Sequence, residues 1–304
     1  MSHKEEIMKY ENDFPDTSAW IKECETRFSE KFFDIAEEIC AKGIRVIRLF
    51  GPTCSGKTTS ANILISLFSK LGKRAHVISI DDFFFDRETL ERIAREKGIE
   101  GLDYDSPDTI DCDALHRFED EIFEADEVHC PIFDFNEGRR VGYKTISVDG
   151  SDIFIFEGIQ ACYPKVIEIL SDHSSVGIYI APLESVSAGG RVFEPNELRL
   201  MRRLVRDYQF RSSSPEFTLY LWESVRANEE KNIFPYVGNT DYTVSSSMEY
   251  EIGVLRPYLE SIIGKMDKND KRYRTAEQIL EKVSGVEPIS SELIEDGMLY
   301  REFV

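Results

Sequence analysis

Gly51-Pro52-Thr53-Cys54-Ser55-Gly56-Lys57-Thr58 decides the fold, because it satisfies G-x-x-x-x-G-K-[ST] between flanks of the right character. Ile44-Arg45-Val46-Ile47-Arg48-Leu49-Phe50 enters it as a strand, and Lys57 to Leu71 leaves it as an amphipathic helix. Glycines let the backbone curl so that successive N–H groups face a phosphate, and the helix N-terminus adds a favourable dipole. In that arrangement Lys57 bridges the β- and γ-phosphates of a nucleotide and the Thr58 hydroxyl ligates Mg²⁺. Gly51 through Thr59 is therefore expected to bind ATP, with Mg²⁺ as its companion. Cys54 is open to two readings, a small tolerated side chain or a thiolate stabilised by the helix dipole.

Outward from the loop, apolar runs at 75–80, 152–156, 176–180 and 241–244 read as strands and alternate with helical patterns. Helices are expected at 87–97, 110–124 and 195–211, and a hairpin at 128–135 and 143–148 around the polar turn 136–140. Strands alternating with helices predict an α/β fold, a doubly wound and mostly parallel sheet covered on both faces. The hairpin is then an insertion. Residues 1–40 are acidic and helical in period from Thr17 to Ala41, with Phe28, Phe32, Phe33, Ile35, Ala36 and Ile39 on one face. They are read as a helical extension on a domain spanning 41–304.

The chain carries 57 acidic against 37 basic residues, a formal charge of −20, which repels a polyanion and argues against nucleic acid as a partner. No run approaches the roughly 20 apolar residues of a membrane helix. Met-Ser-His-Lys-Glu-Glu has no apolar stretch behind a basic start, so no secretory leader is expected. The six cysteines form no C-x-x-C pair, which fits a reducing cytoplasm better than zinc or disulfides.

In so acidic a chain, an anionic substrate must be gathered locally. Asp81 and Asp82 follow the strand 75–80, and Glu157 follows 152–156, at the strand ends where doubly wound sheets place their sites. Such carboxylates can hold Mg²⁺ or accept a proton from an attacking hydroxyl; the alternative is that they cap the next helix. Arg199, Arg202, Arg203 and Arg206 fall at i, i+3, i+4 and i+7 on one helix, flanked by Arg191 and Arg211. Like charges so spaced favour an incoming phosphate; the alternative is a solvated helix paired with Glu194, Glu197 and Asp207.

With Ile78-Ser-Ile-Asp-Asp-Phe-Phe84, Leu102-Asp-Tyr-Asp-Ser-Pro-Asp108, Pro131-Ile-Phe-Asp-Phe135, Phe156-Glu-Gly-Ile159 and Arg199-Leu-Met-Arg-Arg-Leu-Val-Arg-Asp207 in order, the chain resembles the uridine kinase and phosphoribulokinase family of P-loop kinases. Within it the sequence is most similar to bacterial uridine kinase-like nucleoside kinases. Asn232-Ile-Phe-Pro-Tyr236 and Leu299-Tyr-Arg-Glu-Phe303 share that likeness. The resemblance implies ATP- and Mg²⁺-dependent phosphorylation of a nucleoside 5′-hydroxyl, uridine- or cytidine-like, giving a nucleoside monophosphate and ADP. It implies Asp81 as the catalytic base, with Lys57 on the phosphates and Thr58, Asp81 and Glu157 around the metal. Asp105 would bind ribose hydroxyls beside Tyr104, with Phe84, Phe133 and Phe135 lining the nucleoside pocket. Arg199, Arg202, Arg203 and Arg206 would form the lid over the phosphates, Arg199 also touching substrate.

Typical pyrimidine kinases of the family carry Tyr-Asp-Phe followed three residues later by His. Here the stretch is Phe133-Asp134-Phe135 and then Asn136-Glu137-Gly138-Arg139, so the base is read differently, and Arg139 is taken as a substrate contact. Members of the family often assemble as homo-oligomers. Two rival readings remain: a kinase of the same fold acting on another small alcohol, such as a sugar phosphate or pantothenate, and a nucleotide-gated regulatory module.

Overall fold

A computed structural model describes residues 7–9, 16–98, 104, 106–238 and 240–304. The N-terminal part forms a short strand β1 (Ile7–Lys9) and helices α1 (Thr17–Glu30) and α2 (Phe33–Lys42). Strand β2 (Val46–Phe50) runs through the glycine loop into α3 (Lys57–Lys70), and β3 (Ala75–Ser79) ends in the 3₁₀ turn Ile80–Phe83. Helices α4 (Arg87–Lys97) and α5 (Cys112–Glu124) precede the hairpin β4 (Glu127–Asp134) and β5 (Arg139–Ser147). Then come β6 (Ile153–Glu157), α6 (Pro164–Ile169), β7 (Ser175–Ala181), β8 (Ser185–Ala188) and β9 (Arg191–Phe193). The arginine helix α7 (Pro195–Phe210), α8 (Pro215–Asn232), α9 (Phe234–Val237), β10 (Tyr242–Ser245), α10 (Glu251–Ile263) and α11 (Tyr273–Val283) complete the order.

The central sheet has five strands in the order β10-β7-β2-β6-β3, every neighbouring pair parallel. Strand β2 lies in the middle and is buried along its whole length, as its β-branched and apolar run dictates. Its residues alternate between two cores. Ile47 and Leu49 join the cluster containing α1, α2, α3, α7 and α10, while Val46 and Phe50 join the one beneath α5 and the hairpin. Helix starts follow side-chain capping: Asp86 accepts the Thr89 N–H at 2.8 Å for α4, and Asp111 accepts the Ala114 N–H at 3.0 Å for α5.

The helical period of the extension is broken into α1 and α2 at Lys31-Phe32. The break lets Phe28 and Phe32 meet edge to face at 5.4 Å, both buried, while Phe33 is exposed. Adjacent positions on a helix point about 100° apart, so Phe32 and Phe33 do not share one buried face. Trp20, Ile21 and Phe28 of α1 are buried in the same cluster as Ile47 and Leu49 of the sheet. A small three-stranded sheet, β1-β8-β9, is absent from the sequence reading. Its turn, Gly189-Gly190, has φ of 56° and 72°, the left-handed pair a tight hairpin needs. Among the described residues, no helix is long and apolar enough to cross a membrane.

Candidate active site

The phosphate loop sits between the C-terminal end of β2 and the first turn of α3. Gly51 is forced by contact, since a Cβ there would lie 1.9 Å from the Ile180 carbonyl oxygen. Gly56 has φ 88°, and a Cβ would meet Leu299 Cδ1 at 2.4 Å. The Lys57 Nζ donates to the carbonyls of Gly51 at 3.1 Å and Pro52 at 3.2 Å, which holds the ammonium over the loop. Ser55 Oγ is buried and has no hydrogen-bond partner among the described residues.

Above the loop lies a cavity of about 930 Å³, walled by Thr53, Cys54, Lys57 and Thr58 on one side and by Asp81 and Glu157 on the next. Strand pairing explains that meeting. Ser79 of β3 is in register with Glu157 of β6, so the acids that end the two strands come together at one edge of the sheet. Asp81 faces the cavity, whereas Asp82 turns back to accept the Phe133 N–H at 2.9 Å and ties the hairpin to the sheet. Burial raises the Asp82 carboxyl. Burial also pushes the Glu157 carboxyl up to about 7, with Lys57 opposing and Asp81 and Glu302 adding to the rise.

The arginine stripe divides. Arg203 and Arg206 line the cavity and share Asp207, at 3.2 and 2.7 Å, and Arg211 lines it beside Phe210 and Ser212. Burial and the charge of Arg206 lower the Arg211 guanidinium. Arg199 and Arg202, expected over the phosphates, do not line the cavity. Arg199 is paired with Glu229 of α8 at 2.6 Å, and Arg202 with Glu251 of α10 at 2.9 Å. Both still touch the loop from behind: Arg199 donates to the Thr53 carbonyl and Arg202 to the Cys54 carbonyl, each at 3.3 Å. The two arginines thus brace the loop through its backbone. Of the acids weighed as their partners, Asp207 pairs with the cavity-facing arginines, while Glu194 and Glu197 form a capping box at the start of α7.

At the opposite wall stand Phe84, Tyr104, Phe135 and Asn136. Phe84 stacks on Tyr104 at 6.0 Å, and Phe135 meets both edge-on at 6.0 and 5.9 Å. Phe135 is 50% exposed, an apolar ring held open at the cavity mouth. Phe133, expected in the pocket, is buried behind Phe84 and Phe135 and does not line it. Arg139 is paired with Glu137 at 2.5 Å outside the cavity, because the turn 136–138 folds back on Asp134. Asp105 lies outside the described residues.

Gln160, Phe210, Ser212 and Glu302 line the cavity without a site role in the sequence reading. Gln160 follows Glu157-Gly158-Ile159 in the 3₁₀ turn Ile159–Cys162, where a lone amide side chain carries no motif of its own. Glu302 reaches the loop from the C-terminal 3₁₀ turn Leu299–Glu302 and accepts a hydrogen bond from the Thr59 hydroxyl at 3.2 Å.

Residues 46–252 match the phosphoribulokinase / uridine kinase family. The chain belongs to this family. It is accordingly a P-loop phosphotransferase, a kinase of the uridine kinase and phosphoribulokinase type. It is 26% identical over 184 residues to the uridine kinase of Ureaplasma urealyticum serovar 10, covering 60% of this chain and 79% of the other. With the pantothenate kinase of Mesorhizobium japonicum it shares 26% identity, covering 67% of this chain and 68% of the other. Among solved structures the YGR205w protein superposes with a TM-score of 0.54 at 19% identity, over 73% of this chain and 93% of that one, a likeness of fold.

Proposed function

We propose that this kinase transfers the γ-phosphoryl group of ATP, with Mg²⁺, to the 5′-hydroxyl of a nucleoside. The observation that carries the reading is the aromatic wall of Phe84, Tyr104 and Phe135, which opens into the same cavity as Lys57 and Asp81. A planar base suits apolar ring faces and edges. The loop suits a phosphate chain: Gly51 and Gly56 leave space no side chain could share, and Ser55 Oγ awaits a partner. The oxygen donors Thr58, Asp81 and Glu157 suit Mg²⁺. Among the described residues no cluster of three His, Cys, Asp or Glu could hold a metal alone, so phosphate oxygens and water would complete the shell.

In this reading Lys57 and the loop N–H groups bind the β- and γ-phosphates, while Thr58, Asp81 and Glu157 would hold the metal. Mg²⁺, when bound, neutralises charge on the phosphates being parted. Asp81 orients the 5′-hydroxyl and takes its proton as the oxygen attacks the γ-phosphorus in line. Arg203 and Arg206 neutralise the transferred phosphoryl oxygens, and the turn at Phe210–Ser212 shields them from water.

A second reading, phosphorylation of another small alcohol, is favoured by the likeness to a pantothenate kinase. Against a sugar phosphate as acceptor stands the placement of the cavity's cations. Among the described lining residues these are Lys57, Arg203, Arg206 and Arg211, which belong to the phosphate loop, α7 and its end. The test is ADP release from Mg²⁺·ATP across uridine, cytidine, adenosine, guanosine, inosine, pantothenate and ribulose 5-phosphate. Stimulation by one nucleoside, abolished in Asp81→Asn, supports the proposal. Stimulation by pantothenate or the sugar phosphate alone supports the second reading, and nucleotide binding with no acceptor response supports a regulatory module.

A further inference from the structure

Gln160 is 2% exposed, yet its side-chain oxygen Oε1 has no hydrogen-bond partner among the described residues. Its amide nitrogen is used, donating to the Tyr104 carbonyl at 3.4 Å, which holds the side chain against the acceptor wall. A buried amide oxygen left unpaired is destabilising, and a ligand hydrogen-bond donor would relieve that cost. The residue lines the active-site cavity together with Gly158. A Cβ on Gly158 would come within 3.1 Å of both Gln160 Oε1 and Ile80 Cβ, so the glycine keeps the space beside that oxygen clear.

The position of that space sets the role. Gly158 follows Glu157 directly, and Ile80 directly precedes Asp81, so Oε1 lies beside the strand ends that carry those two acids. Among the hydrogen-bond donors of a nucleoside, the secondary hydroxyls of the sugar lie nearer the 5′-hydroxyl than the ring N–H and amino groups of the base. A hydroxyl donates the hydrogen bond that an amide oxygen lacks.

We infer that Gln160 is a specificity-determining residue that accepts a hydrogen bond from a secondary sugar hydroxyl of the acceptor. The inference rests on the nucleoside reading above and adds a residue and a substrate requirement to it.

Steady-state ADP release with Mg²⁺·ATP is measured for the wild type and Gln160→Met, using uridine, 2′-deoxyuridine and 3′-deoxyuridine. The wild type is expected to show a KM about tenfold higher for one of the two deoxy analogues than for uridine. Gln160→Met is expected to raise the uridine KM by a similar factor, leaving the KM for ATP unchanged and adding nothing for that analogue. Equal KM values for uridine and both analogues in the wild type overturn the inference without recourse to any variant. An unchanged uridine KM in Gln160→Met, or an equal rise for all three acceptors, overturns it as well, the latter marking a structural role only. A wild type that turns over no nucleoside overturns the nucleoside reading itself, and this assignment with it.

Discussion

Arg202 and Glu251 meet at 2.9 Å with neither side chain exposed to solvent. The pair is completed by Tyr300, whose hydroxyl bonds to both partners, and by the Cys54 carbonyl, to which Arg202 donates at 3.3 Å. Helix α7, helix α10, the C-terminal turn and the phosphate loop are thus joined through one guanidinium. Removing one member of a buried pair strands the other charge. Arg202→Ala is expected to lose about 3–5 kcal/mol of folding stability, read by urea unfolding, and any loss of turnover should track the loss of folded protein. A variant of wild-type stability that turns over slowly would return Arg202 to a direct role.

Arg203 offers the contrast. It lines the cavity, and its partner Asp207 keeps Arg206 when Arg203 is removed. Arg203→Ala is expected to unfold near the wild-type urea concentration while kcat falls about 100-fold, with the acceptor KM little changed. A fall in stability with kcat intact would place it with Arg202 as a brace.

Glu302 brings a carboxylate to the phosphate side of the cavity, held by the Thr59 hydroxyl at 3.2 Å. Its charge opposes a nucleotide bound at the loop. Glu302→Gln is expected to tighten ADP binding by about fivefold in low salt, measured calorimetrically, with the gain shrinking as salt is added. Weaker binding in the variant would instead make Glu302 a nucleotide contact.

Asp152, 2% exposed in its side chain, joins Arg74 at 2.6 Å and His76 at 3.0 Å where β6 begins. Burial pushes its carboxyl up, but Arg74, the Asp149 N–H and His76 together outweigh it and hold it below its ordinary value of 3.8. A depressed acid contributes stability above its unfolded pKa and loses it as pH falls through the folded one. Asp152→Asn should therefore be less stable than wild type at pH 7, by about 1–2 kcal/mol, and the gap should narrow as pH falls below the ordinary carboxylate range. A gap independent of pH would mean the ion pairs contribute nothing.

The phosphate loop was legible because its chemistry is local: Gly51, Gly56, Lys57 and Thr58 act through backbone conformation and spacing within one turn. The strand-end acids were nearly so. Period and β-branched runs located β3 and β6 and the resemblance singled out Asp81, but only the 3₁₀ turn Ile80–Phe83 shows Asp81 in the cavity and Asp82 bound to the hairpin. On the acceptor side, the family resemblance named Phe84, Tyr104 and Phe135, which line the cavity, and Phe133, which packs buried behind Phe84 and Phe135.

By itself, the sequence determined the family, the α/β architecture, the nucleotide loop and the presence of an arginine-rich helix, all properties of neighbouring residues. Tertiary structure decided which arginines face the cavity. The partners that withdraw Arg199 and Arg202 lie 30 and 49 residues away, and Glu302 reaches Thr59 across 243 residues. No periodicity encodes such separations. An ion pair buried between helices forms where packing brings opposite charges together away from water, and that meeting exists only in the folded chain.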